Sequence, residues 1–169
     1  MKELVLGCGY HRKRRIYFEN DEFKNPTFLD VDPDCDPDVV WDLNIRPLPF
    51  EDNTFDEIHA YDVLEHIGKQ GDWRGFCDEF YEYWRILKPD GIILIVCPYI
   101  ESKWVWADPG HTRFISPDVI GFLDKDHFER QKGETSMTNY FWYFKGNFKF
   151  QWENHDDGKN QAFIFKAIK

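Results

Sequence analysis

Two rhythms of hydrophobic and polar positions alternate along the chain. Short apolar runs close at glycine, proline or aspartate. Glu3-Leu4-Val5-Leu6 ends at Gly7, residues 27–31 (Thr-Phe-Leu-Asp-Val) end at Asp32-Pro33, and Val39-Val40-Trp41 is a third, very short run. Residues 56–61 (Asp-Glu-Ile-His-Ala-Tyr) form a fourth, and Ile92 to Cys97 a fifth, the most apolar. Each reads as a strand. Between the fourth and fifth runs the period changes. Trp73, Phe76, Phe80, Tyr83, Trp84 and Leu87 recur at helical spacing, which predicts a helix over 72–87 with one apolar stripe. Lys88-Pro89-Asp90-Gly91 stops that helix and turns the chain into the fifth strand. Strands alternating with crossovers of this kind imply a parallel sheet covered by helices.

The last part of the chain changes style. Residues 147–153 and 160–168 are both strand-like, and the segment between them contains Asp157-Gly158, a strong hairpin signal. In the second arm Phe163, Phe165 and Ala167 share one face, while Ala162, Ile164 and Ile168 share the other. With both faces largely apolar, this arm belongs inside the sheet rather than at its edge. The expected fold class is therefore α/β: a Rossmann-like, mostly parallel sheet of seven strands ending in an antiparallel C-terminal hairpin, with helices on both faces.

Composition narrows the function classes. At 169 residues, 18% of them aromatic, the chain suits one domain with a substantial core. No apolar run reaches the roughly 18 residues that span a bilayer, and Arg12 to Arg15 interrupt any signal-peptide core, so a cytoplasmic protein without membrane contact is expected. Cys8, Cys35, Cys77 and Cys97 form no CxxC pair and read as reduced, buried thiols. A net charge of -10 argues against binding to bulk nucleic acid. The basic run at residues 12–15 is expected to be a solvated loop.

In an open parallel sheet, ligands bind outside the carboxyl ends of the strands. Four such ends carry suggestive residues. Gly7-Cys8-Gly9 lets backbone approach a ligand closely, although taken alone Gly-x-Gly is better explained as an ordinary turn. A nicotinamide dinucleotide site requires a third glycine where Arg12 stands. Asp30 ends the second strand, where a carboxylate can accept from both ribose hydroxyls or cap a turn. Asp42-Leu43 follows the third strand, where an Asp can accept from an adenine amino group or, again, serve a turn. Tyr61-Asp62 leaves the fourth strand and runs into Val63-Leu64-Glu65-His66.

Taken together, "LVLGCG", "FLDVDP", "DVVWDLNIRPLPFEDNTFDEIHAYDVLEHI" and "YWRILKPDGIILIVCPY", in this order and at compatible spacing, resemble the class I S-adenosylmethionine-dependent methyltransferases, especially the small type 11 branch. The resemblance covers about residues 3 to 99. It implies S-adenosylmethionine as cofactor and S-adenosylhomocysteine as product. It also implies that Gly7, Cys8 and Gly9 pass under the methionine moiety and that Asp30 holds the ribose, with Val31 against the adenine. Asp42 and Leu43 would meet the adenine edge, and Tyr61 and Asp62 would lie near the methyl group. The chain then divides into a cofactor half (about 1–99), a substrate-side insertion (about 100–143) and the terminal hairpin (about 147–168), all within a single domain of residues 1–169.

The chain departs from the family pattern in three places. Val5 stands where relatives often carry an acidic residue, no helix precedes the first strand, and only 17 residues separate Gly9 from Thr27, so the usual first helix is short or irregular. An open site follows, or one closed by a partner or a second copy.

The expected reaction is O- or N-methylation of a small-molecule or sugar-like acceptor. A hydroxyl or amine acceptor must lose a proton, and histidine is the natural base. His111, in "DPGHTRFISPDVIGFL", and His66, in "LEHI", are the candidates. Arg113 can bind an acidic acceptor or pair with a carboxylate. The insertion from Tyr99 to Tyr143 carries many aromatics, most of them expected in the core. "DVDPDCDPD" mimics a calcium loop but lacks its glycine and its twelfth-position glutamate in either register, and no His/Cys group has zinc spacing, so no metal site is expected. The alternative reading is a methyltransferase-fold binding or scaffold protein without catalysis.

Overall fold

A computed structural model describes residues 1–16, 22–156 and 158–169. The apolar runs become β1 (Glu3–Leu6), β2 (Pro26–Asp30), β3 (Val39–Val40), β4 (Phe55–Tyr61), β5 (Leu87–Pro98), β6 (Phe148–Asp156) and β7 (Asn160–Ala167), joined in one sheet of order β3-β2-β1-β4-β5-β7-β6. The pairings β1–β2, β1–β4, β2–β3 and β4–β5 are parallel, whereas β7 is antiparallel to both β5 and β6. The two-faced arm lies inside the sheet as its pattern requires: Phe163, Phe165 and Ala167 are fully buried on one side and Ile164 is buried on the other. Asp157 of the expected Asp-Gly turn lies outside the described residues; Gly158 beside it has φ 72°.

The helical stripe forms α1 (Trp73–Ile86), capped by Asp72, whose carboxylate accepts from the Gly75 N–H at 3.1 Å. Phe80, Tyr83 and Ile86 of α1 are buried against Leu4, Leu6, Ile58, Ala60, Ile93 and Phe163. One boundary differs from expectation. β5 begins at Leu87, paired with Phe55, and resumes at Ile92 opposite Glu57. Lys88-Pro89-Asp90-Gly91 is thus an excursion within an extended strand, with Asp90 at φ 62° taking the bend.

The other face is covered differently. A 3-10 turn, Pro33–Cys35, packs Cys35 against Val5 and Cys8, with Phe23 and Phe28 around them, while Ile16 covers Leu94, Val96 and Ile164. The "DVDPDCDPD" run supplies that turn, and Asp32 caps it by accepting from the Asp34 N–H at 2.9 Å. Among the described residues between Gly9 and Pro26 there is no helix; residues 17–21 lie outside them. All four cysteines are free and buried.

After β5 come α2 (Trp104–Ala107), α3 (Pro117–Gly121) and α4 (Lys125–Gln131). Ile115, Ile120, Leu123 and Phe144 from this region join the core under α1, and Phe128 is buried against Phe141. Trp104, Trp106 and Trp142 are exposed, whereas Phe114, Phe122, Phe128 and Phe141 are buried or half-buried. Among the described residues, no helix is long and apolar enough to cross a membrane.

Candidate functional site

The carboxyl ends of β1 to β4 open into a cleft of about 510 Å³. Gly7, Asp30, Val31, Asp42, Leu43 and Asp62 all line it, beside Trp41, Val63 and His66. Gly7 is required twice over. Its φ is 57°, and a Cβ there would stand 2.4 Å from Val63 Cγ2. Asp30, last in β2, accepts from the Gly9 N–H at 2.8 Å and the Asp32 N–H at 3.0 Å. These two bonds fix the carboxylate at the cleft wall, and its remaining lone pairs can serve hydroxyl donors. Asp42 accepts from both the backbone N–H and the side-chain amide of Asn44, at 2.8 and 3.0 Å, so it is a turn residue as well as a cleft residue. The Leu43 side chain is buried in the core, which leaves its backbone for the cleft. Val31 is 62% exposed and offers an apolar surface to a flat ligand.

Three predicted residues stand elsewhere. Cys8 turns its side chain back into the cluster with Val5 and Cys35, and burial pushes its thiol up to about 12. Gly9 lies outside the cleft lining and acts through its N–H on Asp30. Tyr61 follows the parity of His59 onto the opposite face of the sheet. Its hydroxyl is 2.7 Å from His59 Nδ1, and its ring packs with the Ile16 cluster. Only Asp62, at φ 53° and paired with Arg15, turns into the cleft.

The basic run is a loop with Arg12, Lys13 and Arg15 exposed, as expected, but it is tied down at several points. Arg12 stacks on Phe28 at 4.6 Å and donates to the Cys35 and Asp36 carbonyls. Arg14 is half-buried, its side chain 8% exposed, and bridges Glu3 at 3.0 Å and Glu57 at 2.8 Å. The run therefore staples the segment after β1 onto residues of β1, β2 and β4.

A second group of polar residues lies beyond β4. Glu65 is 2% exposed, and neither carboxylate oxygen has a hydrogen-bond partner among the described residues. Burial, with a further push from Asp62, raises its carboxyl to about 7. His111 Nε2 stands 3.9 Å from Glu65 Oε1, and the His66 and His111 rings are 4.6 Å apart at 75°. The two predicted histidines are thus brought together across a long stretch of chain. Backbone ties hold them there: the Glu65 carbonyl accepts from the Thr112 N–H at 2.9 Å and the Thr112 hydroxyl at 3.2 Å. Arg113 is committed elsewhere, to both oxygens of Glu79 at 2.8 and 2.7 Å and to the Leu64 carbonyl at 2.9 Å. Glu65 is the residue that motif reading missed. Its signal was an acid beside His66 directly after a strand.

The family profile described as "Methyltransferase domain" matches residues 4–95. No curated protein matches. Among solved structures, a SAM-dependent methyltransferase from Archaeoglobus fulgidus superposes with a TM-score of 0.56 at 14% identity, over 98% of this chain and 85% of that one. A putative methyltransferase from Haloferax volcanii, solved in complex with the Trm112 methyltransferase activator, gives 0.58 at 16% identity, over 99% and 83%. The N-methyltransferase NodS from Bradyrhizobium japonicum WM9 gives 0.55 at 13%, over 99% and 86%. At these identities the likeness is one of fold. With more than half of its length matched by the family profile, and with the strand order and cleft described above, the chain belongs to the methyltransferase domain family and has the fold of the class I S-adenosylmethionine-dependent enzymes.

Proposed function

We propose that this methyltransferase binds S-adenosylmethionine in the cleft over β1 to β4 and methylates a hydroxyl or amine of a small-molecule or sugar-like acceptor that approaches past Glu65, His66 and His111. The observation that carries the reading is the Gly7 cradle beside Asp30. A Cβ at Gly7 would strike Val63, and a fixed carboxylate stands at the end of the next strand. These residues fit the group: Asp30 would hold the ribose hydroxyls, Val31 would face the adenine, and Asp42 with the Leu43 backbone would meet its edge. When bound, the cofactor supplies an electrophilic methyl on a sulfonium. The protein's own work is positioning and proton management. His111 and Glu65 supply proton-accepting atoms where the acceptor enters.

The test is thermal unfolding with S-adenosylmethionine and, separately, with NAD. A ligand at about a hundred times its dissociation constant adds roughly 2.7 kcal/mol, which raises the midpoint by several degrees. A shift with S-adenosylmethionine alone, abolished in Asp30→Ala, supports the assignment. A shift with NAD alone overturns it.

A further inference from the structure

We propose that Glu65, His66 and His111 form a binding site for a divalent transition-metal cation at the acceptor side of the cleft. The inference deepens the methyl-transfer reading and rests on it for the cation's role, though not for its binding.

Three observations meet here. Each of the three residues offers a ligand atom, and these atoms all lie within 4.8 Å of one another. Metal bonds of about 2.1 Å place two ligand atoms of one ion about 3.0–3.4 Å apart. The 3.9 Å between His111 Nε2 and Glu65 Oε1 closes on an ion with a shift of about half an ångström, and a pair at the 4.8 Å limit closes with about 1.4 Å, a side-chain rotation of the exposed His66. The second observation is the orphaned acid. A carboxylate 2% exposed, with neither oxygen hydrogen-bonded among the described residues, is costly in a folded protein, and a bound cation would satisfy it. The neighbouring guanidinium groups are already committed, Arg113 to Glu79 and Arg15 to Asp62.

The third is the support around His111. Its Nδ1 lies 3.2 Å from the Val105 carbonyl. A carbonyl only accepts, so Nδ1 donates to it, and Nε2 is the ring nitrogen turned toward Glu65. Metal-ligating histidines are oriented by this same kind of outer hydrogen bond. Gly110 completes the shell. A Cβ there would lie 2.9 Å from His66 Nδ1, so the glycine makes room for the second imidazole.

Two imidazoles and one carboxylate suit zinc, cobalt, manganese or ferrous iron better than magnesium or calcium, and three protein ligands leave coordination positions open. His66 also lines the cofactor cleft, so the site would adjoin the space where the cofactor binds. An acceptor hydroxyl on the cation would lose its proton to water, and the electron pair left on oxygen would form the new O–CH3 bond as the S–CH3 bond breaks and its pair stays on the sulfur of S-adenosylhomocysteine. His111 then acts as a ligand rather than as a free base.

The test uses the full chain stripped with EDTA and titrated with cobalt(II), read by visible d–d absorption. The expected result is saturable binding of one cobalt per chain. His66→Ala, His111→Ala and Glu65→Gln should each weaken it at least about tenfold, the scale of losing a ligand or its support, while His127→Ala leaves it unchanged. His66 is exposed, so its variant tests the site without threatening the fold. Absent saturable absorption, or binding equally strong in all three variants, overturns the cation site. Thermal shifts with S-adenosylmethionine, measured on the same samples, separate the two claims. A shift without cobalt binding defeats the cation site alone. Cobalt binding without a shift defeats the methyl-transfer reading and leaves the site standing.

Discussion

Gly7 and Val63 touch across the floor of the cleft so closely that a single added carbon would lie 2.4 Å from the valine Cγ2. The contact joins the end of β1 to the turn after β4, and the backbone at Gly7 is left-handed as well. Gly7→Ala therefore meets both a clash and an unfavourable φ. Overpacking of this kind costs about 1–3 kcal/mol. The melting midpoint should fall by several degrees, at roughly 2–4 °C per kcal/mol, and calorimetric titration should show S-adenosylmethionine affinity falling with it. Gly7→Ala with an unchanged midpoint would mean that the turn after β4 yields freely.

Asp30 couples ligand binding to the turn it holds, since each of its oxygens already accepts one backbone N–H. Its two backbone bonds hold the carboxylate in place. Asp30→Asn keeps the shape but leaves only one accepting oxygen. Hydrogen bonds to charged groups contribute about 1.5–3 kcal/mol, so the dissociation constant for S-adenosylmethionine should rise roughly tenfold to a hundredfold. The measurement is a calorimetric titration of both proteins. Equal affinity would remove Asp30 from the site.

Arg113 and Glu79 form a buried pair, with Tyr83 donating to Glu79 at 2.9 Å and Arg46 at 3.6 Å. Removing one member strands the other charge. Arg113→Met should cost about 3–5 kcal/mol in urea unfolding, and Arg113→Met with Glu79→Met should recover much of that loss. A double variant as unstable as the single one would show that the arginine contributes through its contacts with the Leu64 carbonyl and Phe76 instead.

His59 makes stability depend on pH. It is fully buried, and burial lowers its pKa, with Arg14 adding to the effect while Glu57 and Glu3 oppose it. Its Nε2 is 3.2 Å from Glu57 Oε2 without the alignment of a hydrogen bond. Tyr61 and Phe23 complete its surroundings. The unfolded chain carries an ordinary histidine, near pKa 6.5, so below that pH the unfolded state binds the extra proton. The contribution is fully present above about pH 6.5 and is lost as pH falls, by at most about 1.4 kcal/mol per unit. Urea midpoints measured from pH 7.5 to 5 should show this slope, and His59→Gln should flatten it. An equal slope in both proteins would place the titrating group elsewhere.

Much of the fold could be read from the chain because its signals are local. The bounds of β1 and the two-sided arm of β7 follow from alternation over a few residues, and the cleft residues Gly7, Asp30 and Asp62 follow from strand ends. What was hidden depends on distance. The apolar parity of β4 puts His59 and Tyr61 on one face, but only the packing of Ile16 shows which face that is. Nothing near Arg14 announces Glu57, its partner 43 residues away. Glu65 and His111 likewise meet only because the Thr112 backbone and hydroxyl bond to the Glu65 carbonyl, a contact that no spacing rule encodes.

The position of β7 also has a kinetic consequence. It fills the slot between β5 and β6, so Ile92 pairs with Lys166 and Pro98 with Asn160 across a long sequence separation. During synthesis, the most apolar strand of the sheet leaves the ribosome with one edge unpaired and keeps it open until residues 160–167 follow. Such an edge is a template for association with other chains. Folding of this protein is thus gated by its last strand, and chaperone demand should peak while the segment between β5 and β7 is being made.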